Sequence, residues 1–561
     1  MLGANTTVAS QLDETADLLA LTNANPFRVR AYRNAARTIR SLEDPLETLL
    51  TSPAFNLDDL PGIGKDLASK ITEIVKHGTF KVLSELRRHV APSVRELMQL
   101  PGIGPKKAML LTNTLHIASI QDLEAAIKTG RIQTVKGFGA KSAASLARAL
   151  ELRGLSSGRM LINEADALSQ SICDYLSSMK GLDIKVAGSL RRGTETIGDL
   201  DFVATGSTAA SILEQLLTFD PKAVILTHGP TKISLRLQTG RQIDIRVVSP
   251  SEAGAALLYF TGSKAHNIEL RRFALAQGLK LNEYGLFRDG VRIAGATEHE
   301  VYNALGLDPI PPELRESRGE IHLAAKHHLP ALVELRDIRG DYHTHTIASD
   351  GKSTIADLAE RAMHLGYKCL AITDHSQRVT VAHGLSQERL ATQWSEIDRL
   401  GALYPKLRLL KGIEVDILDD GSLDISTTML KAADWVVAAV HYNRNQSRVA
   451  MTKRIVRSLK SGVIHALAHP TGRLIGRRPE LSLDMDQIAK AAADYGVALE
   501  INGQPERLDL NDRLIEATAR HPVDFVLATD AHAVAEMDFM RFALLQARRG
   551  GLSKKRIVNC R

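Results

Sequence analysis

The sequence lacks close cysteine pairs, long apolar runs and a secretory signal, and each absence excludes a class of protein. Its three cysteines, Cys173, Cys369 and Cys560, are far apart and form no Cys-x-x-Cys pair. This spacing excludes a cysteine zinc ribbon and suits a reducing compartment, so we expect a cytoplasmic protein. No apolar run approaches the ~18 residues of a membrane span, and the first residues lack a basic segment followed by an apolar one. We therefore expect no membrane partner.

The length of the chain indicates several domains, and its charge leans mildly towards a polyanionic partner. A chain of 561 residues corresponds to about three to five domains. The net charge of +7 favours a polyanion only weakly. The first 155 residues have a helical pattern rich in Lys and Arg, whereas histidine is concentrated after a Pro-rich break. That break, residues 309–335, reads as a linker and marks the main boundary.

A repeated Gly-x-Gly segment in the first part of the chain predicts contacts with a phosphate backbone. "LPGIGKDLASKI" at 60–71 recurs as "LPGIGPKKAMLL" at 100–111, and a degenerate copy follows at 135–146. Glycines allow a tight turn and expose N–H groups at a helix N-terminus, where a phosphate can bind. The segment resembles the helix-hairpin-helix, a clamp that grips DNA phosphates without reading bases. A plain helical corner is the alternative, and the repetition favours the clamp. The predicted contacts are Gly62, Gly64, Gly102, Gly104 and Lys106.

Lys70 has two possible roles. It lies one helical turn beyond Asp66, and cationic residues such as Arg28 precede it. A lysine with a lowered pKa could attack a sugar aldehyde as a Schiff-base nucleophile. A simple phosphate contact is the alternative, and the sequence does not decide between them.

The stretch "GSLRRGTETIGDLDFV" at 188–203 predicts a site for a nucleoside triphosphate and its metal ions. Asp199 and Asp201 alternate with apolar residues and share one face of a strand. Asp244, in the strand pattern "RQIDIRVV" at 241–248, supplies a third carboxylate. Three convergent aspartates suit two Mg²⁺ or Mn²⁺ ions for in-line phosphoryl transfer. The Gly-Ser pair would open a helix whose N–H groups, together with Arg192, hold the triphosphate.

The Gly-Ser and Gly-Asp-Leu-Asp signature with its downstream Asp resembles the nucleotidyltransferase fold, and residues 1–315 resemble the family X DNA polymerases. "YFTGSKAHNIELRRFA" at 259–274 is similar to that family's nucleotide pocket and "LNEYGLF" at 281–287 to its thumb. The resemblance implies that gapped or nicked DNA and dNTPs are the substrates. It places Lys70 at the lyase position, although Asp66 and Arg28 stand where the family usually has lysines. The implied nucleotide contacts are Ser189, Arg192, Gly198, Tyr259, Phe260, Gly262, Asn267 and Arg271.

The second half of the chain predicts a barrel of seven strands. From residue 336, apolar strand segments alternate with amphipathic helices and end in His, Asp or Glu, as in "KCLAITDH" and "DWVVAAVH". Polar residues at successive strand ends belong to one face of a (β/α) barrel. The predicted ligands are His343, His345, Asp350, His375, Glu414, His441, His469, Asp530 and His532. Imidazole mixed with carboxylate suits two or three Zn²⁺, Mn²⁺ or Fe²⁺ ions, which can promote phosphoester hydrolysis.

These strand ends resemble the polymerase and histidinol phosphatase (PHP) domain. No ligand position is substituted, so the resemblance implies a working 3′–5′ exonuclease, abasic-site endonuclease or 3′-end phosphatase. Arg473, Arg477 and Arg478 could contact the scissile strand, or they form a solvated basic loop. Two alternatives stay open: an enzyme acting on small phosphoesters, and a barrel that only supports the polymerase.

Taken together, the resemblances imply a multidomain protein that repairs DNA by filling short gaps, and a monomer is the default expectation. The fold class is a helical helix-hairpin-helix region, an α+β nucleotidyltransferase palm with a thumb, and a C-terminal distorted (β/α)7 TIM-like barrel. The implied boundaries are 1–90 for a lyase-like helical domain, 91–155 for fingers, 156–249 for the palm, 250–315 for the thumb, 316–335 for a linker and 336–561 for the PHP domain.

Overall fold

The chain forms two compact units, residues 1–155 and 156–561. The computed structural model describes residues 159–561 without a gap. In the first unit it describes residues 4–21, 25–40, 46–50, 56–60, 62–90, 94, 97, 98, 103, 105–117, 119–135, 138, 139, 143, 146 and 147.

The described part of the first unit is helical. Its helices are Ala4–Leu21, Pro26–Arg40, Leu46–Leu49, Lys65–His77, Lys81–His89, Pro105–Leu115 and Ile120–Lys128. Apolar residues at helical spacing form one core, in which Tyr32, Ile71 and Phe80 are buried. The Gly62 and Gly64 turn lies directly before the helix Lys65–His77, as the repeat predicts.

The palm is a five-stranded mixed sheet. Its strands are β2 (Asp183–Val186), β4 (Asp199–Thr205), β5 (Val224–Gly229), β6 (Lys232–Arg236) and β7 (Gln242–Val247), in the order β2-β4-β7-β6-β5. The short strands β1 (Met160–Leu161) and β3 (Thr196–Ile197) form a separate pair. The helices Ile162–Leu176 and Ala209–Phe219 bury apolar residues in the core that this sheet shares.

The thumb region combines short helices with a small sheet. Its helices are Ala253–Thr261, Lys264–Ala276 and Glu298–Ala304, and its strands are β8 (Lys280–Asn282), β9 (Gly285–Arg288) and β10 (Val291–Ala294). The predicted linker, 316–335, is not wholly extended, because it contains the helix Glu320–Ala325. Ile321 and Ala324 of that helix pack into the thumb core, and the boundary at 316–335 stays a prediction.

The C-terminal region is a barrel of seven parallel strands in chain order, as predicted. The strands are β11 (Gly340–Asp341), β12 (Cys369–Ile372), β13 (Arg408–Asp416), β14 (Trp435–Ala439), β15 (Ala466–Leu467), β16 (Ala498–Asn502) and β17 (Phe525–Ala528). The main outer helices are Ile355–His364, Gln387–Gly401, Arg448–Leu459, Met485–Tyr495, Asp512–Thr518 and Met540–Arg549.

The barrel is nearly closed by contacts just beyond its first and last strands. Thr344 and Ala531 form a parallel bridge, and the N–H of His345 donates to the carbonyl of Ala531 at 2.8 Å. Closure brings the residues that follow the seven strands to one end of the barrel. Among the described helices, none has the length and apolar character of a bilayer span.

Candidate active sites

Three carboxylates converge on the palm sheet. Asp199 and Asp201 alternate with the buried residues Leu200 and Phe202 along β4. Strand β7 runs parallel to β4, with Asp244 directly opposite Asp201. Each aspartate offers an oxygen within 4.8 Å of the oxygens of the other two. The structure therefore brings together the three aspartates that the sequence groups, and their role as metal ligands stays a prediction.

The environment of the three carboxylates favours a divalent cation. Burial, followed by repulsion from Asp199 and Asp244, raises the pKa of Asp201 to about 7. A divalent cation would relieve this repulsion, and three carboxylates form a donor set suited to Mg²⁺ or Mn²⁺. Asp244 is oriented by the hydroxyl of Ser234 and by Gln242, whose Nε2 donates to it at 2.8 Å.

Gly188 brings the start of a short helix against the carboxylates. The helix Gly188–Arg191 follows β2, and the N–H of Ala187 donates to the carbonyl of Asp201 at 2.8 Å. A Cβ on Gly188 would lie 2.1 Å from Oδ2 of Asp201, and Gly188 has φ +61°. Only glycine therefore fits this close approach without distortion.

Arg192, at the end of the same helix, links the palm to the thumb. Its Nε donates to Glu316 at 3.0 Å, and its Nη1 donates to the carbonyl of Thr261. Gly262, which follows Thr261, has φ +73°, and a Cβ on it would lie 3.2 Å from Nη1 of Arg192. Ser189 lies within the helix, and its carbonyl accepts from the hydroxyl of Thr194 at 3.2 Å.

Three of the predicted nucleotide contacts, Tyr259, Asn267 and Arg271, line one small pocket together with four other residues. Nδ2 of Asn267 donates to the carbonyl of Tyr259 at 2.6 Å. The ring of Phe260 meets that of Tyr259 edge-on, with centroids 5.0 Å apart. Gly198, by contrast, lies beside Arg159, whose Nη1 would be 3.0 Å from a Cβ at that position.

The described part of the first Gly-x-Gly copy is consistent with a phosphate-binding helix N-terminus. Gly62 has φ +78°, and a Cβ on Gly64 would meet nothing within 4 Å. Both glycines are exposed, so the turn leaves room for a ligand. In the second copy, Gly102 and Gly104 lie outside the described residues, as does the side chain of Lys106.

Lys70 is held as a charged group. Its Nζ donates to Asp66 and lies 5.4 Å from the centre of the Tyr32 ring. Burial lowers the pKa of Lys70, but the hydrogen bond with Asp66 and the nearby Tyr32 outweigh burial and leave that pKa raised. A raised pKa disfavours a neutral amine nucleophile, so the surroundings favour the phosphate contact over the Schiff base.

The barrel gathers its predicted ligands into three adjoining clusters. Within each cluster the ligand atoms lie within 4.8 Å of one another. The clusters are His345, Asp350, His375 and His532; His343, His345 and Asp530; and His375, Glu414 and His441. His345 and His375 each belong to two clusters. The ninth residue, His469, has its Nε2 3.1 Å from Oε1 of Glu414. Adjoining clusters with shared members fit more than one ion.

Several ligand atoms in these clusters are buried without a hydrogen-bond partner in residues 159–561. They are Nε2 of His343, both ring nitrogens of His345, Nδ1 of His375 and Oε2 of Glu414. Buried polar atoms are normally satisfied, so this group fits a site that metal ions complete. The imidazole and carboxylate donors suit Zn²⁺, Mn²⁺ or Fe²⁺.

The charges of the clusters are strongly coupled. Although burial lowers it, the carboxylates of Glu414 and Asp350 raise the pKa of His375 to about 10. Burial and the neighbouring rings of His532 and His375 lower the pKa of His345 to about 4. Because metal ligands must be deprotonated, an ion at these positions would replace protons.

Two carboxylates outside the predicted ligand set orient histidines of the clusters. Nδ1 of His343 lies 2.7 Å from Glu500, and Nδ1 of His441 lies 3.2 Å from Asp416. Such contacts fix the ring and its tautomer. The signal in the sequence is the period of two, since Asp416 follows Glu414 by two residues on β13. This period does not indicate that Glu500, on β16, contacts His343, which lies 157 residues earlier.

Of the arginines that follow "AHPTG", Arg473 fits neither the DNA contact nor the solvated loop that the sequence leaves open. Arg473 is buried and ion-paired with Glu195 of the palm, so it is not free to contact a scissile strand. Arg477 is exposed and pairs with Glu506 at 3.1 Å. Arg507, which the sequence does not single out, has its Nε 3.5 Å from Asp530 and a buried Nη1 without a partner in residues 159–561.

Four family models match parts of the chain. They are a helix-hairpin-helix domain at residues 3–80, a SAM-like helix-hairpin-helix tandem at 94–152, the DNA polymerase beta thumb at 256–316 and the PHP domain at 341–504.

Some similar proteins cover nearly the whole chain and others between a third and two fifths of it. A protein of Bacillus subtilis, named DNA polymerase/3′-5′ exonuclease PolX, is 36% identical over 555 residues, which is 98% of this chain and 96% of the relative. A probable phosphatase of Thermoanaerobacter is 27% identical over 230 residues, 39% of this chain and 89% of the relative. A probable phosphatase of Citrobacter koseri is 31% identical over 206 residues, 34% of this chain and 78% of the relative.

Proposed function

Because this chain belongs to the family X DNA polymerases that carry a C-terminal PHP domain, we propose that it fills short gaps in DNA and trims the 3′ end at a second site. The observation that carries the proposal is the presence of both donor sets in one compact unit. One set is three carboxylates on neighbouring palm strands, and the other is three clusters of histidine and carboxylate in the barrel. The helix-hairpin-helix segments of the first unit supply contacts with the DNA backbone.

In the palm, Asp199, Asp201 and Asp244 would hold two Mg²⁺ or Mn²⁺ ions. When bound, such ions neutralise charge on the triphosphate and activate the primer hydroxyl. The N–H groups at the start of Gly188–Arg191 and the guanidinium of Arg192 hold the phosphates. This arrangement aligns the reacting phosphate with the 3′-OH, and alignment is most of what phosphoryl transfer needs.

The predicted contacts around the nucleotide complete the palm site. Tyr259, Phe260 and Gly262 border the sugar, and Ser189 and Gly198 lie beside the phosphates. Asn267 faces the minor-groove edge of the incoming base, and Arg271 faces the template. Tyr259, Asn267 and Arg271 lie together around one small cleft, and this proximity supports the assignment.

In the barrel, the nine predicted ligands would hold two or three Zn²⁺, Mn²⁺ or Fe²⁺ ions. When bound, such ions supply the Lewis acidity that activates water and polarises a phosphate. Glu500 and Asp416 hold the rings of His343 and His441 in register with the clusters. Arg507 lies beside Asp530 through its Nε, and its buried Nη1, which has no partner in residues 159–561, would be satisfied by a phosphate oxygen.

We propose 3′–5′ exonuclease activity for the barrel first, since the relative from Bacillus subtilis carries that name over nearly the whole chain. Release of a 3′-terminal phosphate is the second candidate, favoured by the relatives named probable phosphatase. Abasic-site cleavage uses the same donor set. We further propose that the chain works as a cytoplasmic monomer in base-excision repair.

A one-nucleotide-gapped duplex tests the proposal. We expect extension of the primer by one nucleotide with dNTP and Mg²⁺, and shortening of the same primer with Mn²⁺ when dNTP is withheld. Binding to the gapped duplex should weaken steeply as salt rises, because phosphate contacts release counterions. An enzyme of small metabolites would instead bind the duplex weakly at every salt concentration and hydrolyse a small phosphoester rapidly.

A further inference from the structure

The last helix of the barrel packs against the palm loop that begins at Arg192. Gly193 faces the helix Met540–Arg549 so closely that a Cβ on it would lie 3.1 Å from Leu545. Nε2 of Gln546 donates to the carbonyl of Gly193 at 3.2 Å. Nη1 of Arg549 donates to the carbonyl of Arg192 at 2.7 Å. Side chains of the barrel therefore hold the backbone that carries the predicted triphosphate contact.

A chain of alternating charges joins the same two regions. Oε1 of Glu316 accepts from Nε of Arg192 and from Nη1 of Arg549, each at 3.0 Å. Nη2 of Arg549 donates to Asp512 at 2.7 Å, and Arg318 reaches the same carboxylate at 2.7 Å. The side chain of Arg549 is only 7% exposed, and those of Arg192 and Glu316 are 14% and 19% exposed. Solvent therefore screens these interactions little.

The network leaves one part of Arg192 available. Its Nε is bonded to Glu316 and its Nη1 to the carbonyl of Thr261, whereas Nη2 has no hydrogen-bond partner in residues 159–561. The negative charge of Glu316 would compete with a triphosphate for the Arg192 guanidinium. Arg549 offsets part of that charge, because the same oxygen of Glu316 accepts from both arginines.

We propose that Arg549 is a positioning residue of the nucleotidyltransferase site, although it belongs to the barrel. It neutralises Glu316 and fixes the carbonyl of Arg192, so that the Arg192 guanidinium keeps the geometry and charge that a triphosphate requires. The inference rests on the proposed function, in which Arg192 holds the triphosphate. It makes the barrel part of the polymerase site independently of the barrel's own metal clusters.

Arg548 supplies the matched control, because it makes the same kind of bond without reaching Arg192. Its Nε donates to Glu313 at 2.7 Å and its Nη1 to the carbonyl of Val333 at 2.9 Å. Truncating it weakens the contact between barrel and thumb but leaves the Arg192 network intact.

The test measures the KM for dNTP with the full-length chain on a one-nucleotide gap, together with primer shortening when dNTP is withheld. We expect Arg549→Ala to raise KM about tenfold, since small misplacements at a reacting centre are costly. Arg548→Ala should change KM less than about twofold, and neither variant should alter shortening. The double variant Arg549→Ala/Glu316→Gln should recover much of the lost affinity, because the competing carboxylate is gone. A merely structural role would make the double variant worse.

Equal KM values for Arg549→Ala and Arg548→Ala, or no recovery in the double variant, overturn the inference. If Arg549→Ala unfolds and loses both activities, Arg549→Gln decides: it keeps the apolar stem and an amide N–H but is shorter and uncharged, and an unchanged KM overturns the proposal. A wild-type chain that never extends the primer overturns the proposed function and this inference together. Extension by the wild type with unaltered KM in the variants overturns the inference alone.

Discussion

The α-carbon of Gly188 lies against the carboxylate of Asp201, so close that a Cβ would come within 2.1 Å of Oδ2. This contact places the first N–H groups of the helix Gly188–Arg191 beside the three aspartates. The phosphates and the metal ligands of the proposed reaction therefore meet because one residue has no side chain.

Replacing Gly188 with alanine should strongly reduce extension while the barrel keeps shortening primers. The new methyl group would displace Asp201 or the helix, and we expect a loss of about a hundredfold in kcat/KM for dNTP addition. Steady-state kinetics on the one-nucleotide gap measure it. Gly240→Ala is the control, because Gly240 has φ +82° but open space around a Cβ. Equal losses in the two variants would attribute the effect to backbone strain alone.

The barrel should bind two or three transition-metal ions per chain, and His345 should affect more than one of them. His345 belongs to two of the three clusters, so His345→Ala should lower the bound metal by at least one ion. Elemental analysis after dialysis measures the stoichiometry. His465→Ala is the matched control, because His465 accepts from the N–H of Val436 and belongs to none of the clusters of residues 159–561. Unchanged metal in His345→Ala would contradict the ligand assignment.

Glu298 should stabilise the second unit through two arginines. Burial raises its pKa, but hydrogen bonds from Arg191 and Arg315 outweigh burial and lower the pKa to about 2. Because the pKa is lowered on folding, the stabilisation is present above about pH 4.5 and is lost as the pH falls towards 2. Glu298→Gln should lower the free energy of unfolding by about 3–5 kcal/mol at pH 7, since it leaves two largely buried arginines without their carboxylate partner.

Urea unfolding at pH 7 and at pH 4 measures this effect. The difference in the free energy of unfolding between wild type and Glu298→Gln should be larger at pH 7 than at pH 4. Glu214→Gln is the control, because Glu214 is exposed on the helix Ala209–Phe219. Equal urea midpoints for wild type and Glu298→Gln at pH 7 would refute the assignment.

Lys70 should act as a phosphate contact and not as a Schiff-base nucleophile. Its pKa is raised by Asp66 and Tyr32 despite burial, so it remains protonated at neutral pH. We expect no borohydride-trapped adduct with an abasic 5′ end. Lys70→Ala should weaken binding to gapped DNA. It should also reduce the slope of log binding constant against log salt concentration by about one. Lys222→Ala, which removes an exposed lysine of the second unit, should do neither. A trapped adduct that disappears in Lys70→Ala would reverse this assignment.

The sequence predicts most of the barrel because its signals are local. Each strand is a short apolar segment followed by an amphipathic helix, so that the predicted alternation is observed, as in the helix Gln387–Gly401 between β12 and β13. The family and the fold class are confirmed, since the matches to the family models and the seven-stranded sheet agree with both. The period of two likewise places Asp199 and Asp201 on one face of β4 and sets Asp244 apart from the buried residues of β7.

What the sequence does not reveal depends on contacts between distant segments. For Arg473 the sequence leaves a DNA contact and a solvated loop open, but the side chain is buried and meets Glu195, 278 residues away. The helix Glu320–Ala325 lies in a stretch predicted as linker, where Glu320 meets the buried His266 at 2.7 Å. Glu500 and Arg549 carry no local signal either, because their partners are 157 and 357 residues earlier in the chain. Such pairings arise from packing, which residue periodicity does not encode.

The most direct test of two active sites in one chain uses a labelled primer on a one-nucleotide gap, with dNTP and Mn²⁺. Wild type is compared with Asp199→Ala/Asp201→Ala and with His343→Ala/His345→Ala. We expect the aspartate variant to lose extension and keep shortening, and the histidine variant to lose shortening and keep extension. Shortening that persists in the histidine variant would contradict the account, because the barrel would then have no role in removing nucleotides.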